Sequence, residues 1–409
     1  MPTDILIKES ITDKESNFNI KIFKLGGLNI DAPTKVIDAK KTDYSFFKTQ
    51  ENGFKNILFE TSKKLTINSI QNVIKSKSDV NIKQVFGHSN WIDNYENLVS
   101  LTFDFNPFSE YRKIDKDLSG FFDYYYEYSK TALFVPNIRA TENIYKTTQK
   151  NRLQKIGERP LIKIDEYLNF VDEVYRLLGF KNKKPIFVPL SLKFDIGDVA
   201  QLASEYIKRD FFNIWIDFEG ATATNKTKLA KIRAFLREVD VQKRFDDVII
   251  HSTNIRREII SNIKNFQSPA SDILTSLSGA NFIGVNREPA FPPENPLPYE
   301  ELMRIREHKA RIFENETYYY KKIINPDNHT NLNLKHLLNP NNNALYNANL
   351  LNREFTKQSN EFLEKQSIKE YICNKKMISE YKEGDLVNTL FFDKSIGKQK
   401  TLDPWFVPI

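Results

Sequence analysis

Short apolar runs rich in Val, Ile, Leu and Phe recur along the chain, each followed by a longer polar or amphipathic stretch. In order they are PTKVID (33–38), NILFE (56–60), LVSLTFDF (98–105), TALFVP (131–136), PIFVPL (185–190), NIWIDF (213–218), DVIIHS (247–252) and ANFIGV (280–285). Their hydrophobicity is continuous rather than alternating, the pattern of strands covered on both faces in a parallel sheet. Several intervening segments carry a helical period. In DEYLNFVDEVYRLLGF, Leu168, Val171, Val174, Tyr175 and Leu178 share one face. In DVAQLASEYIKRDFF, Val199, Leu202, Tyr206 and Ile207 do the same, with Asp198 at the expected N-cap. Eight strands alternating with helices over about 250 residues is the size of a closed, TIM-type β/α barrel. An open doubly wound sheet is the alternative, but no Gly-rich phosphate turn follows any strand.

The flanks are patterned differently. Residues 18–30 (FNIKIFKLGGLNI) alternate around Gly26-Gly27 and predict a β-hairpin that closes or flanks the bottom of the barrel. After the last strand, PAFPPENPLP (289–298) cannot form regular backbone. Residues 299–382 are expected to be mostly helical, interrupted by the asparagine-rich NPNNNALYNANLLN, and the final LDPWFVPI is expected to be ordered. This divides the α/β chain into an N-terminal hairpin region (1–32), a barrel (33–298) and a helical C-terminal extension packed on it (299–409).

Composition narrows the function classes. The chain has 409 residues, 40% of them hydrophobic and 13% aromatic, enough for a large core. No apolar run approaches the roughly twenty residues of a membrane span. The opening MPTDILIKES lacks the apolar core of a secretory signal, so a cytoplasmic protein is expected. Cys373 is the only cysteine, which rules out an intramolecular disulfide and a cysteine-built zinc site within one chain. His308 and His329 lack partners at metal-ligand spacing, and neither a metal nor another cofactor is expected. The net charge of +7 suits a polyanionic partner. Seven basic residues fall between Lys226 and Arg244, and Lys228, Lys231, Arg233 and Arg237 among them are candidate nucleic-acid contacts. A solvated outer face of a barrel helix is the competing reading.

Several motifs, in order and at similar spacing, resemble the tRNA-guanine transglycosylase superfamily. NIKIFKLGGLNIDAPTKVID is similar to its opening hairpin and first strand, with Ala32-Pro33-Thr34 where the family has Thr-Pro. In NILFETSKKL, Thr61 and Leu65 match the threonine and leucine of the family's second strand end, and LVSLTFDFNPF occupies the place of its Asp-Ser-Gly-Gly-Phe-Gln. PIFVPLSLKFDIGDVAQLASEYIKRDFFNIWIDFEG lies where the family has two glycine-rich base-cradling loops. SPASDILTSLSGANFIGVNRE resembles the helix and strand that carry its nucleophilic aspartate. The resemblance covers about residues 18–290. The helical tail, NLNLKHLL through ALYNANLLNREF, is similar to the family's closing helices. It implies a barrel that exchanges or inserts a modified (7-deaza)guanine in DNA or tRNA, a pentosyltransferase reaction of the queuosine or archaeosine type. The departures are specific. Pro189-Leu190-Ser191 and Asp217-Phe218-Glu219-Gly220 replace the glycine loops, and the nucleophile position falls near Asn281 or Gly284. Only His336 matches the family's zinc ligands.

Barrel active sites are built from C-terminal strand ends, and base exchange needs two acidic functions there. Asp104 ends the third strand; Asp217 and Glu219 end the sixth, where alternation would point both to one face. These are the candidate catalytic residues. Asn137, Ser191, Gly220 and His251 are candidate base contacts, and Arg256 and Arg287 stand on strand-end loops where they suit phosphate. His88 with Trp91 and the tyrosine runs 124–126 and 318–320 suit either base stacking or, at helical spacing, partly buried amphipathic faces, the second being favoured. Two functions from different classes follow. One is a divergent transglycosylase with Asp217 as the replacement nucleophile. The other is an inactive paralogue that keeps the barrel and binds nucleic acid or a partner subunit. A third possibility is an unrelated barrel enzyme for a phosphorylated small molecule, which would have a closed, smaller pocket. Homodimer and heterodimer both stay open.

Overall fold

The chain opens with an antiparallel sheet of three strands rather than a lone hairpin. β1 (Ile7–Thr12), β2 (Asn19–Leu25) and β3 (Leu28–Ala32) pair in that order. The predicted hairpin is β2 and β3, turned at Gly26 with a left-handed φ of 57° that glycine adopts without a Cβ clash. β1 escaped notice because its residues are half-buried or exposed and leave little apolar signal. The structure, a computed structural model, describes residues 5–54, 56–76, 78–107, 114–147, 153–181, 183–259, 266–288, 310–323, 334–380 and 386–391.

Beyond Pro33 the chain turns to parallel pairing. β4 (Thr34–Lys35) and β5 (Ile37–Asp38) are separated by Val36 alone, and β6 (Leu58–Leu65), β7 (Glu96–Phe103) and β8 (Leu133–Phe134) follow. An antiparallel hairpin, β9 (Thr141–Thr147) with β10 (Leu153–Pro160), intervenes where no strand was expected. Then come β11 (Ile186–Pro189), β12 (Asn213–Asp217), β13 (Ile249–Thr253), the short β14 (Gln267–Pro269) and β15 (Phe282–Ile283). Six strands form one parallel sheet, β4-β15-β13-β12-β11-β8, and three form another, β5-β6-β7. Parallel bridges Leu98↔Ala132 and Thr102↔Asn137 join β7 to the segment around β8. Each of the eight apolar runs thus contains a strand of the parallel system.

Helices cover the outer faces. Ile164–Gly179 buries Leu168, Val171, Val174 and Leu178 as its period requires. Ile196–Lys208 buries Val199, Leu202 and Tyr206, but its N-cap is Asp195, which accepts from Asp198 N at 2.8 Å. The cap stands one turn ahead of the expected position because Asp195, not Asp198, is the last extended residue.

A separate apolar cluster lies on the opposite faces of the strands. Val36, Leu58, Leu98, Phe134, Trp215, Ile249 and Phe282 from the parallel strands pack there with Phe23, Leu25 and Ile30 of the N-terminal sheet. Side chains two apart on a strand share a face. Followed toward the C-terminal ends, that face runs Leu58-Glu60-Ser62, Leu98-Ser100-Thr102, Trp215-Asp217 and Ile249-His251. The interior therefore changes from apolar to polar along the strands, and a polar floor is built before any loop is added.

The described residues of 299–382 are mostly helical, as expected, but two unexpected strands stand among them. β16 (Arg311–Glu314) and β17 (Tyr319–Lys322) make an antiparallel sheet with β14. The tyrosine run 318–320 therefore lies at a strand, with Tyr318 and Tyr320 fully buried against Glu354 and Asp272, and offers no ring to a base. The asparagine-rich stretch does not interrupt a helix; it forms part of one, Pro340–Lys365, capped by Asn339. Its asparagines are brackets. Asn347 accepts from Phe313 N at 2.8 Å and donates to Arg311 O at 2.8 Å; Asn352 accepts from Lys35 N at 2.7 Å and donates to Lys35 O at 3.1 Å. These bonds supply edge strands with the partners that buried backbone requires, outweighing asparagine's weak helix propensity. The proline-dense segment 289–298 and the tail LDPWFVPI lie outside the described residues. Among the described residues, no helix is long and apolar enough to cross a membrane.

Asn347→Leu removes both bracket bonds and leaves the buried Phe313 N–H without its acceptor, while Arg311 O keeps Asn343 Nδ2 at 3.0 Å. Such an orphan costs about 1–3 kcal/mol. Urea unfolding should show a loss of at least about 1 kcal/mol with little change in slope.

Candidate active site

At the C-terminal ends of the parallel strands an open cleft of about 640 Å³ is walled by Ser62, Thr102, Asp217, Asn254 and Asn286. Asp217, the last residue of β12, is 6% exposed and forms part of its floor. Three donors hold its carboxylate: Thr102 Oγ1 at 3.1 Å, Asn254 Nδ2 at 3.0 Å and the Glu219 backbone N–H at 2.7 Å. Burial, and then the nearby charge of Glu219, pushes the Asp217 carboxyl above its ordinary value against these hydrogen bonds and the charge of Lys228. The local backbone explains the arrangement. Glu219 (φ 54°) and Gly220 (φ 80°) are both left-handed, which folds the chain back so that Glu219 N–H meets the preceding carboxylate.

The same turn separates the two acids that alternation would have placed on one face. Glu219 reaches Lys193 at 3.1 Å and Lys228 at 3.5 Å, so it stands beside Asp217 in the cleft wall within an ion-paired group. The correction has a simple cause: β12 ends at Asp217, and the two-residue period ends with it.

Other predicted residues are placed as follows. Arg287 lines the cleft. Asp104 stands at the rim, 2.7 Å from Lys64. Gly220 N–H donates to Asn254 O at 2.7 Å, bracing the β12 and β13 ends. Asn137 and Ser191 are buried at the ends of their strands, away from the cleft's described walls. His251 is fully buried beneath the cleft, Nε2 at 3.1 Å from Glu60 Oε1 and its ring against Phe134, so it is no direct base contact in this structure. The helix Lys226–Val241 is not the free basic face that had been expected. Lys228 pairs with Glu219, Lys231 donates to Leu192 O at 2.8 Å, Arg233 donates to Thr389 O, and Arg237 is exposed. Arg256 is half-buried behind the strand ends, its backbone N–H on Ala221 O. His88 bonds Asp93 at 2.6 Å, Trp91 packs on Phe47 and Phe59, and His336 lies against Phe46. Among the described residues no group of three His, Cys, Asp or Glu side chains could hold a metal ion.

Sequence reasoning passed over the cations. Lys40 and Lys41 follow the first strand and Lys63 and Lys64 lie at the end of the second, and all four line the cleft. The strand-end rule that selected the acids selects them equally well. It also passed over Glu60, fully buried below the cleft. Glu60 accepts from Ser100 Oγ at 2.7 Å and Val285 N at 2.8 Å and faces His251. Burial alone would raise its carboxyl, but the His251 charge and the hydrogen bonds outweigh burial and bring it to about 2. Glu60 also fills the space beside Gly284, one of the two positions where a nucleophile was expected. A side chain at Gly284 would run into Glu60, while Asn281 bonds Asn19 and Ile250 N deep in the core.

No family model matches this chain, and no curated protein matches it. The cleft alone carries the functional argument.

Because the folded-state carboxyl of Glu60 lies near 2 against an ordinary 4.5, its stabilisation is present above about 4.5 and lost as pH falls toward 2. Glu60→Gln should therefore destabilise the protein most at neutral pH. The gap to wild type in denaturant midpoint should narrow as pH is lowered through that window.

Proposed function

We propose that the two parallel sheets are parts of one closed eight-stranded β/α barrel, and that the chain is a divergent, guanine transglycosylase-like pentosyltransferase acting on DNA or tRNA. The ring reading is supported by the single-residue step between β4 and β5 and by the two bridges beside β8. The functional reading rests on one observation. A buried aspartate, aimed by three donors, forms the floor of an open cleft whose wall carries lysines. At about 640 Å³ the cleft is in the range of small-molecule sites and open enough to admit a nucleotide still joined to a strand. That favours it over the closed pocket of an enzyme for a small phosphorylated metabolite.

In this reading Asp217 attacks the anomeric carbon as the N-glycosidic bond breaks and the leaving base takes the bonding electrons. A glycosyl ester holds the sugar until an incoming base, a (7-deaza)guanine, attacks through nitrogen, gives up its proton and frees the carboxylate. Glu219, with Lys193 and Lys228 beside it, is placed to move protons on the departing and arriving bases. Thr102 and Asn254 keep the nucleophile aligned, which is where positioning contributes to rate. Lysines of the rim would meet phosphate. The non-catalytic, nucleic-acid-binding alternative has one observation in its favour: all three Asp217 donors and both Glu219 lysines are already satisfied without substrate.

The test is incorporation of labelled guanine or a 7-deazaguanine into DNA and RNA. Asp217→Asn keeps the shape but removes the attacking charge, so turnover should fall by orders of magnitude while polymer binding survives. Glu219→Gln should cost about 10²–10⁴-fold. Activity needs ionised Asp217, so the acid limb of the rate profile should lie above the ordinary carboxylate range. Wild-type protein that binds both polymers and exchanges no base would leave the non-catalytic reading.

A further inference from the structure

The cleft is continuous with a second hollow. Lys63 and Lys64 line both, and the second, of about 670 Å³, runs on beside the helix Ile67–Ser76, past Asn72 and Lys75, to Gln84. Its described walls contain lysines and neutral polar groups but no carboxylate. Where the two hollows meet, Lys40 and Lys63 lie side by side. Their stems pass over Gly87, where a Cβ would collide with Lys63 and stand 2.8 Å from Lys40 Cε. Neither ammonium has an ion-pair partner among the described residues. Lys40 Nζ donates to Ser62 O, and Lys63 Nζ lies 3.5 Å from Gln84 O. Burial and then the charge of Lys63 bring Lys40 down to about 8, and burial lowers Lys63 as well. Asp38 and Glu60 act on Lys40 only through space, so two adjacent cations whose hydrogen bonds go to carbonyl oxygens form a site that an anion would complete.

We propose that a nucleic-acid strand leaves the cleft across Lys40 and Lys63 and follows the second hollow, with its phosphodiesters on Lys63, Lys64 and Lys75. This rests on the reading of the cleft as a nucleotide site and moves the strand's path away from the helix Lys226–Val241. A string of phosphates fits better than a single one, because the cations are spread along a trough that extends well past the cleft. The neutral asparagine and glutamine groups between them suit sugars and bases and add no repulsion. Lys64 would exchange its ion pair with Asp104 for phosphate, an inexpensive change at the surface.

The test uses the full chain and a labelled single-stranded oligonucleotide of about 12 nucleotides, within the range one binding surface spans. Each phosphate contact contributes about 0.7 to the slope of log affinity against log salt for single strands. Lys40→Ala/Lys63→Ala/Lys75→Ala should lower that slope by about 2, while Arg237→Ala leaves it unchanged. Lys75→Glu, at an exposed position whose change the fold tolerates, should by itself weaken binding and flatten the slope. An unchanged slope in these variants overturns the proposal, as does polyglutamate competing as well as the oligonucleotide. The base-exchange assay is read separately. Loss of slope without any exchange keeps the strand path and removes the chemistry; exchange with an unchanged slope keeps the chemistry and removes the path.

Discussion

A carboxylate with no access to solvent needs partners wherever the chain can supply them, and Glu60 draws them from three directions. Ser100 comes from β7, His251 from β13, and the Val285 N–H from just beyond β15. Stripping water from a charge costs several kcal/mol, and an interior ion pair seldom returns more than it costs. What it does return is geometry, because any slip of these strands would leave a charge or a donor unpaired in the interior. Gly284 belongs to the same arrangement: only a residue without a side chain leaves room for the Glu60 carboxylate. The apolar cluster beneath tolerates exchange among side chains of similar volume. The polar layer above it does not, since each member satisfies another.

The cleft inherits its character from that layering. One residue pair further along the strands stand Ser62, Thr102 and Asp217, with Asn254 just past β13, groups that keep one another satisfied and still face solvent. The loops then add charge in a divided way. On the β12 side the lysines Lys193 and Lys228 share Glu219, so the cations beside Asp217 are ion-paired. On the side of the first two strands neither Lys40 nor Lys63 forms an ion pair among the described residues, and Asp38 and Glu60 act on Lys40 only through space. A substrate with an anionic backbone and a neutral reacting centre would experience both halves as complementary.

The apolar runs made the parallel strands legible because burial on both faces leaves a signal independent of partners. The same method failed where tertiary contacts decided the outcome. The asparagines at 339–352 look like a helix interruption until β4 and β16 are seen to need their amides. Tyr318 and Tyr320 look like a helical face until Glu354 and Asp272 take their hydroxyls. In the site, Asp217, Glu219 and Arg287 were found by asking which residues end strands. Lys40 and Lys63 satisfied the same question but were passed over. Glu60 closes the run NILFE but lies within the longer observed β6, and its importance comes from His251, 191 positions away.

Glu60 and Asp217 differ in how their surroundings hold a proton. The two carboxylates lie on the same polar inner layer, yet their environments push them in opposite directions. Glu60 has the His251 charge and close donors and is held ionised to about 2, so it neither gives nor takes a proton near neutrality. Asp217 has donors too, but its burial and the charge of Glu219 outweigh them, and its carboxyl rises. A group held fully ionised by partners it cannot leave serves as a fixed charge. A carboxyl raised above its ordinary value, in contact with a cleft, takes up a proton more readily than a fixed charge does. His251 belongs to the same separation: it lies below the floor, where it faces Glu60 and helps hold it charged.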